Sequence, residues 1–218
     1  MKSSTRRSAL KQMAFLTIGS GFVFQSCNSV AHENDSLVIP HKPLKPVYIP
    51  SGTFPKAADG STFGDGVTGG PKVRSEYTNG QFCCQEGFLK PKTAGPPPHL
   101  HKELDEVMRV VEGTVHVLVG DTVTEVHAGD WHVRPHGIIH TFWNAGEVPA
   151  GFIDIYLNQD LLSMFDEYTR IGIKLKSKGL EMQSPEGINL TDELMKKFGI
   201  TMFPDKFPPI IQKYGLTV

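Results

Sequence analysis

Four side chains between residues 99 and 140 constrain this chain more than anything else in it. His99 and His101 stand one residue apart, Glu106 follows after four more, and His140 arrives from a segment distant in sequence. Along a strand, alternate side chains share a face, so both histidines of His99-Leu100-His101 point the same way. Three imidazoles and one carboxylate brought together like this can hold a single divalent ion and still leave coordination positions open.

The surrounding pattern predicts short strands. Gln81 to Leu89 reads as one, and the stiff turn ending Gly95-Pro96-Pro97-Pro98 delivers the two histidines. Glu106 to Val111 alternates, so Met108 and Val110 share the inward parity of Glu106 and are candidate pocket-lining residues. Val115, Val117 and Val119 form one face of the next strand, with His116 on the other. Gly120-Asp121 is a turn, and a further strand ends before Gly129. Trp131 to Arg134 leads into the turn Pro135-His136-Gly137 ahead of His140. Phe142 has the parity of His140 and is a third candidate for the pocket lining, whereas Trp143 packs outside or at the rim. Gly151 to Leu157 is the last strand. No helices intervene, which favours a closed antiparallel barrel over an open parallel sheet. His132 and His136 read as exposed or supporting residues, and His116 and His127 have no motif support.

After Asn158 the periodicity becomes helical: Leu161, Leu162, Phe165 and Tyr168 fall at helix intervals, and Thr191 reads as the N-cap of a second helix ending at Gly199. Residues 159–218 are therefore a helical C-terminal extension. Residues 28–71 are a tether and an extended arm: Pro40 to Pro71 contains six prolines and six glycines, which exclude a continuous helix. Val38-Ile39 and Val47-Tyr48-Ile49 are expected to pack that arm on the core. The barrel itself is assigned to residues 72–158.

Residues 1–27 have the form of a bacterial export leader, with Arg6-Arg7 ahead of an apolar run from Met13 to Phe24 that is too short to span a bilayer comfortably. Ser26-Cys27 resembles a lipoprotein processing box, in which Cys27 becomes the lipidated first residue and attaches the protein to a membrane. An exported protein, periplasmic or membrane-anchored, is expected. Removal of residues 1–26 takes away four basic residues and no acidic ones, leaving 18 basic against 23 acidic and a formal charge of -5. With no basic stripe downstream, nucleic acid is not an expected partner. Cys83 and Cys84 are neighbours, a poor geometry for a disulfide, and read as small apolar strand residues facing opposite sides.

The two-part spacing resembles the cupin superfamily. His99-x-His101, four residues, Glu106, six residues and Gly113 fit its first motif, with Thr93 where the family has a leading glycine. Gly129, five residues, Pro135-x-Gly137, two residues, His140, three residues and Asn144 fit the second throughout. The resemblance implies an all-β fold, a double-stranded β-helix or jelly-roll barrel, often dimeric. It also implies His99, His101, Glu106 and His140 as the metal ligands. The ligand types suit Fe, Mn, Ni, Co, Cu or Zn better than Ca.

A single cupin domain with a helical tail is similar to quercetin-dioxygenase-like members. That similarity implies a metal-dependent oxidoreductase acting on a small aromatic or enolic substrate, with Glu106 as ligand and catalytic proton acceptor. Two alternatives stand beside it. One is a redox-neutral isomerase or lyase on a sugar-like hydroxycarbonyl compound; the other is a non-enzymatic lipoprotein that binds a small ligand or a metal.

Overall fold

The computed structural model describes residues 42–57, 59–60, 63 and 69–218. The leader from Met13 to Phe24, Cys27 and Val38-Ile39 lie outside the described residues. Among the described residues eleven strands and three α-helices follow one another: β1 (Gly69–Val73), β2 (Phe82–Leu89), β3 (Thr93–Ala94), β4 (His99–His101), β5 (Asp105–Glu112), β6 (Thr114–Val119), β7 (Thr122–His127), β8 (Trp131–Arg134), β9 (His140–Asn144), β10 (Ala150–Leu157), α1 (Leu161–Ser177), α2 (Pro185–Lys197), β11 (Ile200–Met202) and α3 (Phe207–Tyr214). The strands form two antiparallel sheets, ordered β1-β2-β10-β5-β8 and β11-β4-β9-β6-β7, with β3 added to β9. This is a mostly β jelly-roll fold of two antiparallel sheets, as the sequence resemblance implies, carrying C-terminal helices.

Alternation sets the interior. On β5, Glu106, Met108 and Val110 are buried while Asp105, Val107 and Arg109 are partly exposed on the other face. Parity does not, however, fix depth along the barrel axis. Met108 and Val110 sit in an apolar cluster with Val115, Val117, Val126, Phe142 and Phe152. That cluster closes one end of the barrel, so neither residue lines the pocket expected of them. Gly113 ends β5 at φ +68, where a Cβ would lie 2.5 Å from the Pro149 carbonyl oxygen. Only glycine fits both that backbone and that approach.

The open end is covered by the C-terminal extension. Asp160 caps α1, accepting from the Ser163 backbone N–H at 3.2 Å, and Lys174 and Lys176 stand in its last turn. Leu161, Leu162 and Met164 pack with Cys83, Leu104 and Tyr156 of the barrel. A buried ion pair, Arg74 Nη1 to Asp166 Oδ2 at 2.7 Å, ties α1 to the segment after β1. The second helix starts earlier than expected: its cap is Ser184, which accepts from the Gly187 N–H at 3.2 Å with Pro185 in the first turn, and Thr191 lies inside the helix. Gly187-Ile188-Asn189 disguises that first turn. Glycine is needed there because a Cβ would meet the Met182 carbonyl oxygen at 2.3 Å.

Two further contacts of the extension were not legible. Strand β11 pairs along the outer edge of β4, setting Ile200 opposite His101, Thr201 opposite Leu100 and Met202 opposite His99. Helix α3 and Leu216 cover Trp143, which points out of the barrel yet is only 1% exposed. The Tyr214 ring lies 4.8 Å from that indole and His116 stacks on it at 5.8 Å.

The arm runs along β1 without regular structure. Backbone carbonyls hold it: Pro55 O accepts from Arg74 Nε at 2.7 Å, Thr53 O from Lys72 Nζ at 3.0 Å and Lys42 O from Asn79 Nδ2 at 2.6 Å. Val47 and Tyr48 do not pack as expected, being 49% and 87% exposed. The apolar anchor is Phe54, whose ring sits where a Cβ on Gly70 would fall.

Candidate metal centre

Strand β4 presents His99 and His101 on one face, β5 brings Glu106 and β9 brings His140. One ligand atom from each of the four lies within 4.8 Å of the others, and all four residues are buried. The turn before β9 fixes the approach: Gly137, at φ +73, donates its N–H to the His101 carbonyl at 2.7 Å. Asn144, last residue of the second motif, works as a clamp. Its Nδ2 donates to the carbonyls of Leu89, Lys90 and Val148, and its Oδ1 accepts from the Gly146 N–H.

The hydrogen bonds also set ring orientation. Nδ1 of His99 lies 2.8 Å from the Pro97 carbonyl and Nδ1 of His140 lies 3.0 Å from the Ile138 carbonyl, so each ring donates there and turns a lone pair on Nε2 inward. Nε2 of His101 and of His140 are each 3.3 Å from a Glu106 oxygen, yet neither has a hydrogen-bond partner of proper geometry; His101 Nδ1 has none either. An unsatisfied buried polar group costs about 1–3 kcal/mol, so such an arrangement asks for a cation. The donor set fits a divalent transition ion, whose identity it does not fix.

A residue not singled out in the sequence dominates the electrostatics. Arg134, fully buried on β8, donates from Nε to Glu106 Oε2 at 2.5 Å and from Nη2 to Asp154 Oδ1 at 2.7 Å. Burial alone would raise the Glu106 carboxyl, but Arg134 and then the His101 and His140 contacts overcome it and hold Glu106 well below the usual carboxylate range. For Asp154 burial wins, reinforced by the Glu106 charge against the pull of Arg134, and its carboxyl is pushed up to about 6. The available signal was parity, since Arg134 lies two residues beyond His132 on the face opposite Trp131.

His99 is lowered to about 4, first by burial and then by the neighbouring His140 charge. Since the unfolded chain takes up this proton near pH 6.5, the metal-free protein is expected to keep its full stability above that value and to lose stability as pH falls from 6.5 towards 4, by at most about 3 kcal/mol from this group. Urea denaturation of metal-free protein at pH 7 and pH 5 checks this, and H99Q should flatten the slope. An unchanged slope in H99Q would assign the pH dependence elsewhere.

The other candidates fall outside the centre. His136 pairs with Asp105 at 2.7 Å on the surface, His127 lies 3.1 Å from Thr114 Oγ1, and His116 packs on Trp143. Cys83 and Cys84 are free thiols that burial pushes up to about 12, which leaves them unreactive at neutral pH.

A cavity of about 560 Å³ opens from His99, His101 and Glu106 towards the C-terminal extension. Phe142 forms part of its wall beside His99, His101 and Glu106, while Gln85, Asp154 and Tyr156 line it from β2 and β10. Gln85 Nε2 donates to the Tyr156 hydroxyl at 2.5 Å, joining the polar side chains of that wall.

Three histidines and a glutamate gathered in a jelly-roll barrel form a cluster that could hold a metal ion. Residues 87–156 match the family model described as Cupin domain. It is 32% identical over 77 residues to germin-like protein 9-3 of Oryza sativa subsp. japonica, covering 33% of this chain and 36% of that protein. It is also 36% identical over 70 residues to germin-like protein subfamily T member 2 of Arabidopsis thaliana, covering 29% and 31%. The chain thus spans about a third of the length of the curated relatives it matches.

Among solved structures, a cupin protein from Bacteroides fragilis aligns at TM-score 0.40 and 16% identity, covering 54% of this chain and 86% of that one. A sugar phosphate isomerase from Silicibacter pomeroyi aligns at TM-score 0.37 and 23% identity, covering 42% and 60%. The salicylate 1,2-dioxygenase from Pseudoaminobacter salicylatoxidans aligns at 0.33 and 25%, covering 35% and 22%.

Proposed function

We propose that this chain is a metal-dependent oxidoreductase, a dioxygenase-like cupin that acts on a small aromatic or enolic molecule. The observation that carries the reading is the junction of two unlike surfaces: a His99, His101, Glu106 and His140 ligand set, three of whose members, His99, His101 and Glu106, line a cavity walled largely by apolar side chains. A bound transition ion would supply Lewis acidity and redox chemistry at that end. Among the described residues that line the cavity none is lysine or arginine, which disfavours the alternative of an isomerase or lyase on a sugar-like, and especially a phosphorylated, compound.

Within this proposal Glu106 serves chiefly as a ligand. A carboxylate held far below its usual range by Arg134 carries charge well and accepts a proton poorly. Asp154, which faces the same cavity with its carboxyl raised to about 6, is the better proton acceptor. The test is oxygen uptake with a panel of enols and phenols. One O₂ consumed per substrate, with both atoms in the product, is expected; turnover at an unchanged rate without oxygen would replace this reading with the redox-neutral one, and tight ligand binding without turnover would favour the binding lipoprotein.

The remaining expectations belong to the same proposal. A lipidated Cys27 would place the enzyme at a bacterial membrane facing the periplasm, which mass spectrometry of the mature N-terminus checks. A homodimer would cover the outer face of the first sheet, where Trp131, Val133 and Val111 are 58%, 56% and 44% exposed.

A further inference from the structure

We infer that the substrate carries an uncharged apolar body of about two-ring size, which seats against the C-terminal extension while its oxygen-bearing end faces the metal-site residues His99, His101 and Glu106. This rests on the metal-site reading above and adds what the rest of the cavity selects. A molecule small enough to fill only the metal end, such as a short diacid, would leave most of the 560 Å³ space and its apolar wall wet. That volume falls in the range of pockets that enclose ligands of roughly drug size.

The wall facing the metal end is made by Leu161, Met164, Phe165 and Tyr168 of α1, Met195 of α2 and Met202 of β11. All six lie outside residues 87–156, the stretch that matches the cupin domain. Barrel and extension thus divide the work: the barrel supplies the ion-binding end and the extension supplies the surface that recognises the body. The wall is graded in depth. Leu161 and Met164 are 3% and 6% exposed, whereas Met202 and Tyr168, at 37% and 40%, mark the mouth. Three thioethers beside two aromatic rings make a surface that adapts to a flat apolar group and attracts its edge.

Charge argues for a neutral body. Glu106, Asp154 and Asp192 are the carboxylates among the described lining residues, and no lysine or arginine among them answers an anionic substituent. A carboxylate or phosphate on the body would be desolvated next to like charge.

The test uses the full chain loaded with zinc and two probes that share one metal-binding group, acetohydroxamic acid and 2-naphthohydroxamic acid, compared by calorimetry. The naphthyl probe is expected to bind about 100-fold more tightly, equivalent to roughly 110 Å² of apolar surface removed from water. M195E, and independently M202E at the mouth, should cut that preference to below about tenfold while zinc stoichiometry and acetohydroxamate affinity stay as in the wild type. Equal affinity of the wild type for both probes, with zinc bound, would overturn the inference and leave the metal site standing. Variants that weaken both probes alike would also overturn it, because the body would then not rest on this wall. Failure of the wild type to take up zinc, or of the zinc form to bind either hydroxamate, would overturn the metal-site reading and this inference with it.

Discussion

His140→Ala should empty the metal centre and leave the barrel assembled. The backbone of His140 stays paired to His99 and to Val119 whatever its side chain, so β9 keeps its place. Alanine removes one of four donors and deprives Glu106 Oε2 of its 3.3 Å neighbour, but the Arg134 contact to the same oxygen remains. Loss of an outer partner to a metal ligand typically costs 10–100-fold in metal affinity, so loss of a ligand itself is expected to cost more than about 100-fold. Elemental analysis and competition with a chelator measure the loss, circular dichroism reports the barrel, and, on the function proposed above, oxygen uptake should vanish with the metal. Full metal loading in the variant would remove His140 from the ligand set.

Arg134→Met should produce the largest loss of stability of any single change at the site. The guanidinium is fully buried between Glu106 and Asp154, and methionine would fill similar space with no charge. Two buried carboxylates would be left facing each other, and breaking a buried pair from one side costs about 3–5 kcal/mol. The sign of the pH dependence follows. Without Arg134 both carboxyls titrate higher in the folded protein than in the unfolded chain, so the deficit is largest at neutral and alkaline pH and shrinks as pH falls and they protonate. A divalent ion restores positive charge beside Glu106, so the deficit should be smaller with zinc than without. Urea denaturation at two pH values, with and without zinc, tests each part. A loss under about 1 kcal/mol in the metal-free variant would mean that Arg134 does not compensate the pair.

The contrast between these residues shows what a one-dimensional pattern carries. His99, His101, Glu106 and His140 were legible because two rules coincide on them: strand alternation, and a ligand chemistry that few other combinations satisfy. Phe142 followed by the same parity. Met108 and Val110 obeyed parity too and still missed the cavity, since alternation says which side of a sheet a residue faces and nothing about which end of the barrel it occupies. Arg134 went unread because a charged residue at an inward position has meaning only once its partners, Glu106 and Asp154, are brought beside it from strands 28 and 20 residues away. The start of α2 at Pro185, capped by Ser184, was hidden by a glycine in its first turn, and β11 was too short to leave a periodic signal.

That short strand has a consequence for how the protein is made. His99 and His101 sit on a three-residue strand whose link to β9 is a single pair, His99 with His140, while its other edge is matched along its whole length by Ile200–Met202. A ribosome that has finished the sequence as far as His140 has therefore supplied every ligand but not the rail that straightens two of them. A chain lacking Ile200–Met202 should therefore hold an ion more weakly than one that has them, with all four ligands present in both.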